Sequence, residues 1–154
     1  MSKRSRAPES EAASDLAAQL RTILSRLKRR LREHGGREDL TPSQISVLLR
    51  LERYGADTVS GLARGEGVRP QSMSSIVTSL QETGLVSGIP DPNDGRKTRM
   101  SLSKKCRKLL QESRAAKQDW LTATILQKLS AQEQQKLAAA LELLDRLTED
   151  GPLS

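Results

Sequence analysis

One stretch of this chain carries side chains suited to meeting an ordered polar surface. Between Arg69 and Ser79 the residues Gln71, Ser72, Ser74, Ser75, Thr78 and Ser79 are all short or amide-bearing hydrogen-bonding groups. They alternate with Met73, Ile76, Val77 and Leu80 at the spacing of one helical face. A helix surface facing only water usually carries Lys and Glu. A small polar surface suits close approach to something, with drift at an exposed face as the plainer alternative. Gln bonds adenine through two hydrogen bonds, and Ser and Thr bond several bases or meet a thymine methyl. Gln71 and Ser72 fall in the first turn, where such contacts concentrate. Pro70 stiffens that turn, and its unbonded amides suit a phosphate. Arg69, just before it, suits a phosphate too.

Beyond Gly84 lies a second cluster, Pro90-Asp91-Pro92-Asn93-Asp94-Gly95-Arg96-Lys97. Pro, Asn, Asp and Gly together specify a turn. It sits between Leu85-Val86-Ser87 and Thr98 to Leu102, which read as short strands, so the chain predicts a β-hairpin with a long tip. Arg96 is placed to enter a narrow minor groove, whose negative potential attracts a guanidinium. Lys97 and Arg99 suit phosphate contacts. Asp94 would repel phosphate if it stood free and is expected to orient a nearby arginine. The candidate DNA-contacting set is therefore Arg69, Pro70, Gln71, Ser72, Ser74, Ser75, Thr78, Arg96, Lys97 and Arg99.

Several elements must hold these groups. Thr41-Pro42-Ser43-Gln44 is a helix start in which Thr41 caps, Pro42 suits the first turn and Gln44 completes a capping box. Ile45, Val47, Leu48, Leu49 and Leu51 follow, and Gly55 stops the helix. Thr58 opens a short helix with Leu62 and Ala63, and Gly65 and Gly67 turn the chain into the serine-rich helix. Upstream, Leu16, Leu20, Ile23, Leu24, Leu27 and Leu31 form one stripe, capped by Ser14 and ended by Gly35 and Gly36. Downstream, Ser103 caps a long helix through Trp120 to Leu129. Ser130-Ala131-Gln132-Glu133 opens a last helix with Leu137, Ala140, Leu141, Leu144 and Leu147 on one face. Residues 1–13 have nothing to bury and read as a disordered tail. Three end helices with long apolar stripes exceed what a winged core of about sixty residues can cover. Either a second copy covers them or they bundle on one another.

The chain has 154 residues, 35% hydrophobic and 29% charged, with a formal charge of +7. That balance suits a polyanion without naming one. No run approaches the ~18 apolar residues of a membrane span, and MSKRSRAPES has no apolar run behind its basic residues, so a cytoplasmic location is expected. One cysteine and one histidine make an internal metal site improbable, and no cofactor is expected. No nucleophile–base–acid set is visible, so an enzyme is not expected. Cys106, flanked by Lys104, Lys105, Arg107 and Lys108, reads either as a small residue on a helix or as a thiol made reactive by its neighbours.

The order of elements, together with LTPSQISVLLRL (40–51), GVRPQSMSSIVTSLQETGLV (67–86), DPNDGRKTRMSLS (91–103) and LSAQEQQKL (129–137), resembles the MarR family of bacterial regulators over residues 16–148. The expected fold is mainly α with a small β-wing: a winged helix-turn-helix over 40–102, and dimerisation helices over 14–36 and 103–149. The resemblance implies a homodimer on pseudo-palindromic double-stranded DNA. It also implies a repressor released by a small aromatic or lipophilic effector, bound between the dimer helices and the winged domain. A winged-helix module that binds protein instead, or a regulator sensing through Cys106, are the alternatives. The chain departs from the family at Ser75 and Ser79, where members often have arginine, at Gly61, where they often have Glu, and at Cys106, where they often have Gly.

Overall fold

The computed structural model describes the backbone of residues 6–36 and 39–149. Six helices and one hairpin follow in the order α1 (Arg6–His34), α2 (Pro42–Tyr54), α3 (Val59–Glu66), α4 (Pro70–Glu82), β1 (Val86–Pro90), β2 (Thr98–Leu102), α5 (Lys104–Lys128) and α6 (Ala131–Arg146). The fold is mainly helical with a two-stranded antiparallel wing, as the sequence predicts.

Local chemistry sets the helix boundaries. The Gln44 N–H donates to Thr41 Oγ1, and the Thr41 N–H donates to Gln44 Oε1, so the capping box of α2 is complete. Ser130 and Glu133 repeat it on α6. Thr58 and Ser103 cap α3 and α5. Gly67 ends α3 at φ 66°, and Gly55 ends α2 at φ 86°, conformations that cost a Cβ-bearing residue.

The core lies where α2, α3, α4, the wing and the start of α5 meet. It contains Val47, Leu48 and Leu51 of α2, Leu62 and Ala63 of α3, and Met73, Val77 and Leu80 of α4. Leu85, Val86, Met100 and Leu102 bring in the wing, and Cys106 and Leu110 bring in α5. Val86 pairs with Leu102 and Pro90 with Thr98, so β1 starts one residue later than the Leu85–Ser87 expected from sequence and runs three residues beyond it, taking in Pro90, which the sequence placed in the turn. Pro90 can end it because a proline lacking an N–H is tolerated on an edge strand. Asp57 and Met100 exchange backbone hydrogen bonds of 3.1 and 2.7 Å, tying the wing to the turn between α2 and α3.

Two sequence expectations change. Helix α1 begins at Arg6, not at Ser14, which lies inside it. Residues 6–13 are therefore helical, not a disordered tail; residues 1–5 lie outside the described set. Glu9, Glu11, Ala12 and Ala13 are sound helix formers and exposed, so a turn started by the leucine stripe propagates through them without burial. Leu49, grouped with the core leucines by sequence, is exposed.

The end helices stand differently. α1 lies along α5, where the His34 and Trp120 rings stack at 4.6 Å and 12°, with the Arg30 guanidinium over the indole. No residue of α6 is buried. Among the described residues no helix is long and apolar enough to cross a membrane.

Leu48 is fully enclosed by this core, so Leu48→Ala should lower unfolding stability by about 2–5 kcal/mol. Chemical denaturation read by helical circular dichroism measures it, and a loss under 1 kcal/mol would mean that the core is not packed as described.

Candidate nucleic-acid interface

Helix α4 is held by one apolar stripe. Met73, Val77 and Leu80 are buried and Ile76 packs at the edge. That roll leaves Gln71, Ser72, Ser74, Ser75 and Thr78 exposed, five of the six small polar residues singled out by sequence. Ser79 does not join them. Its hydroxyl accepts from Gln44 Nε2 at 2.8 Å and donates to the Ile76 carbonyl at 2.7 Å, half-buried against α2. The sequence placed Ser79 on the outer face by its helical spacing; what half-buries it is α2, whose first turn brings Gln44 against this flank of α4.

The first turn of α4 is open. Pro70 occupies its start, and Arg69, at the capping position, makes no side-chain bond to the helix amides. The unbonded N–H groups and the positive end of the helix dipole therefore face outward beside an exposed arginine. Behind α4, Arg50 of α2 reaches the end of α3. It bonds Glu66 Oε1 at 3.0 Å and the Gly65 carbonyl at 2.7 Å, while Ser46 donates to Glu66 Oε2 at 2.8 Å. This network ties α2 to the end of α3, and sequence reading did not single it out. A Glu–Arg pair sixteen residues apart on two helices has no local spacing signature.

The wing is organised by a residue that the sequence marked only as a turn former. The Asp91 carboxylate accepts the amides of Asn93 (2.8 Å) and Asp94 (3.3 Å) through one oxygen and the Arg99 guanidinium (2.8 Å) through the other. The Asn93 amide first and Arg99 next hold its pKa below the ordinary value. Arg99 is thereby committed to the base of the loop. Asp94, as expected, serves an arginine: it accepts the Arg96 amide at 3.1 Å and lies 3.9 Å from Nε of the same residue. Arg96 itself projects, with its side chain 95% exposed, and Lys97 is exposed beside it.

α5 is clamped to this unit. Ser103 Oγ donates to the Gly84 carbonyl at 2.7 Å, Lys105 Nζ to Thr83 at 2.9 Å, and Arg114 bonds Glu52 of α2. Cys106, between those anchors, has 0% exposure. Its basic neighbours point outward and the thiol packs inward, so the structure favours the packing reading over a solvent-facing sensor thiol.

With this geometry in place, comparison with known proteins is decisive. The sequence profile of the MarR family matches residues 38–97, which hold α2 to the wing tip. An uncharacterized HTH-type transcriptional regulator of Mycobacterium bovis is 36% identical over 89% of this chain and 95% of its own length.

The chain belongs to the MarR family.

A transcriptional regulator from Pseudomonas aeruginosa of known structure is 35% identical. It superposes with a TM-score of 0.76, covering 91% of this chain and 98% of its own. A mutant of S. aureus MepR bound to an oligodeoxyribonucleotide, 20% identical, shares the fold at a TM-score of 0.68 over 86% of this chain and 98% of its own. The protein is thus a MarR-family transcriptional regulator with a winged helix-turn-helix.

The sign of the wing's pH dependence follows from Asp91. A carboxylate whose folded pKa is lowered adds stability above its unfolded value and loses it as pH falls through the folded one. The Asn93 and Asp94 amides of this regulator should stay protected from hydrogen exchange down past the ordinary value of 3.8, and open only below it. In Asp91→Asn they should exchange faster already at neutral pH. Equal protection in both proteins would remove Asp91 as the organiser of the loop.

Proposed function

We propose that this regulator is a sequence-specific repressor that binds a pseudo-palindromic operator as a homodimer and leaves it when a small aromatic or lipophilic effector binds. The observation that carries the DNA reading is the pairing on one rigid core of two different surfaces: the exposed small polar face of α4 and the projecting Arg96. The first suits base edges in a major groove, where Gln71, Ser72, Ser74, Ser75 and Thr78 would read sequence. The second suits the negative potential of the adjoining minor groove. Arg69, Pro70 with its open first turn, and Lys97 would meet phosphates and set register. Arg99 serves the same surface through its bond to Asp91, which shapes the loop beneath Arg96. The MepR mutant bound to an oligodeoxyribonucleotide supports this reading by fold alone.

The dimer reading rests on α1 and α6. Leu16 is 67% and Leu147 71% exposed, and Ile23, Leu24 and Leu141 are exposed with them. Contiguous leucine stripes of this kind mark an interaction surface. Packing of the end helices on one another does not account for them, because α6 buries none of its residues. A second copy supplies the same stripes in symmetric register. Two copies would present two α4 helices to half-sites about 10 bp apart. A protein that reads chromosomal DNA in a bacterium works in the cytoplasm.

For the effector, support comes from a cleft of about 250 Å³ between the end of α1 and α5, lined by Gly35, Gly36, Leu109, Ser113 and Ala116. The Ser113 hydroxyl in its wall is buried with no hydrogen-bond partner among the described residues, a state that a polar ligand group would relieve once a local shift opened it to the cleft. The cleft adjoins the helix clamped to both α2 and α4, so its occupancy can bear on the position of the reading helix.

Light scattering at micromolar concentration should give twice the chain mass, and a monomer would remove the dimer and the two-half-site geometry. Arg96→Ala should weaken all DNA sequences by a similar factor and flatten the salt dependence by roughly one unit per subunit. Gln71→Ala should cost about 1–3 kcal/mol on the operator, little on random DNA, and leave the salt slope alone. If Gln71→Ala weakens both DNAs equally, α4 is not the reader. Binding that ignores salt altogether would favour a protein partner instead.

A further inference from the structure

The Gln44 side chain has both ends of its amide in use. Oε1 accepts the Thr41 N–H at 2.9 Å and completes the α2 capping box; Nε2 donates to Ser79 Oγ at 2.8 Å on α4. The Ser79 hydroxyl in turn donates to the Ile76 carbonyl at 2.7 Å, so its oxygen is held on both sides. One planar amide therefore joins the start of α2 to the third turn of α4. The cap fixes where the amide sits, and the amide fixes where Ser79 sits.

Ser79 lies on the stripe of α4 that carries Ser72 and Ser75, seven and four residues earlier. On a helix whose side-chain tips lie roughly 5–6 Å from the axis, a 20° roll displaces them by about 2 Å. Hydrogen bonds to base edges do not survive such a shift, since they hold only over roughly 2.7–3.2 Å. The apolar stripe alone is a loose stop against rolling, because Met73 is adaptable and Ile76 sits at the core's edge. A directional bond at the rim is a tighter one.

We infer that Gln44 and Ser79 are a positioning pair that sets the roll of α4, and with it the regulator's discrimination between DNA sequences. Neither residue touches DNA in this role. The inference rests on the reading that α4 contacts base edges.

The test uses the full chain and a duplex enriched by the wild-type protein from a randomised library, against a scrambled duplex of the same length. Ser79→Ala removes the acceptor with a residue that favours helix more than serine does, so the fold should persist with a melting temperature within a few degrees of wild type. The ratio of selected to scrambled affinity should fall roughly fivefold or more, the lower range for one lost base contact. Affinity for the scrambled duplex and the salt slope should not change. Ser79→Thr, which keeps the hydroxyl, should recover most of the ratio. Gln44→Glu keeps the capping acceptor but lacks the donor, and should lose the ratio as Ser79→Ala does; it serves if the alanine variant fails to fold. The Gln44 side-chain NH₂ resonances should be protected from exchange in wild type and lose that protection in Ser79→Ala. An unchanged ratio in Ser79→Ala with that protection gone overturns the inference. Equal weakening on both duplexes does so as well, by making Ser79 a backbone contact. A wild-type protein that enriches no sequence fails in its own arm, which sinks the base-reading premise and the inference with it.

Discussion

The apolar stripe Met73–Val77–Leu80 on α4 is the constraint from which the rest of the winged unit follows. These side chains fill the space between Leu48 of α2, Leu62 of α3 and the hairpin residues Leu85 and Met100. Burying them settles which side of α4 faces the core, though not its exact roll, because only one side of the helix carries residues at positions i, i+4 and i+7. The opposite face is then presented whatever its composition. Here it is short and polar, so the backbone of α4 can come close to a partner without long charged side chains intervening. The polar network of Arg50, Glu66 and Ser46 adds direction to a core that is otherwise adaptable in detail. Hydrophobic burial supplies stability without direction, and hydrogen bonds supply direction at small net energy.

The wing shows a different solution. Its tip has no core, so its shape comes from a carboxylate that collects two backbone amides and one guanidinium. A second acidic residue, Asp94, holds the backbone beside Arg96. Two negative charges thus stand in a loop that would meet a polyanion, yet both are occupied by donors of the loop itself. The outward field is left to Arg96 and Lys97. This arrangement matches the modest charge of the winged segment. A few cations, placed by acids that stay neutralised, can do what a broad basic surface would do less selectively.

The end helices divide the molecule into a part that is complete in one chain and a part that is not. From α2 to the start of α5 every apolar stripe finds a partner within the chain. α6 finds none, and α1 only partly, through His34 and Trp120 against α5. The three contacts from α5 to Thr83, Gly84 and Glu52 make the link between the two parts stiff.

Much of the fold was legible in the sequence because its signals are local. Capping boxes at Thr41 and Ser130, glycines at 55, 67 and 84, and the turn residues from Pro90 to Gly95 act within four or five residues of themselves. So does hydrophobic periodicity, which placed the stripes of α2, α4 and α6. What depended on contacts between distant residues was not legible. That Ser79 faces inward, that Arg99 is bound to Asp91, that Arg50 ties α2 to α3, and that Cys106 packs inside its basic neighbours are facts of tertiary geometry. The start of α1 lay between the two, since helix propensity competes there with the lack of anything to bury. The sequence by itself determined which elements form and which faces are apolar, because the physics of both is short-ranged. Only the tertiary structure decided which polar groups are spent holding the fold and which remain free to meet a partner, because that choice turns on angstrom-scale distances between helices far apart in the chain.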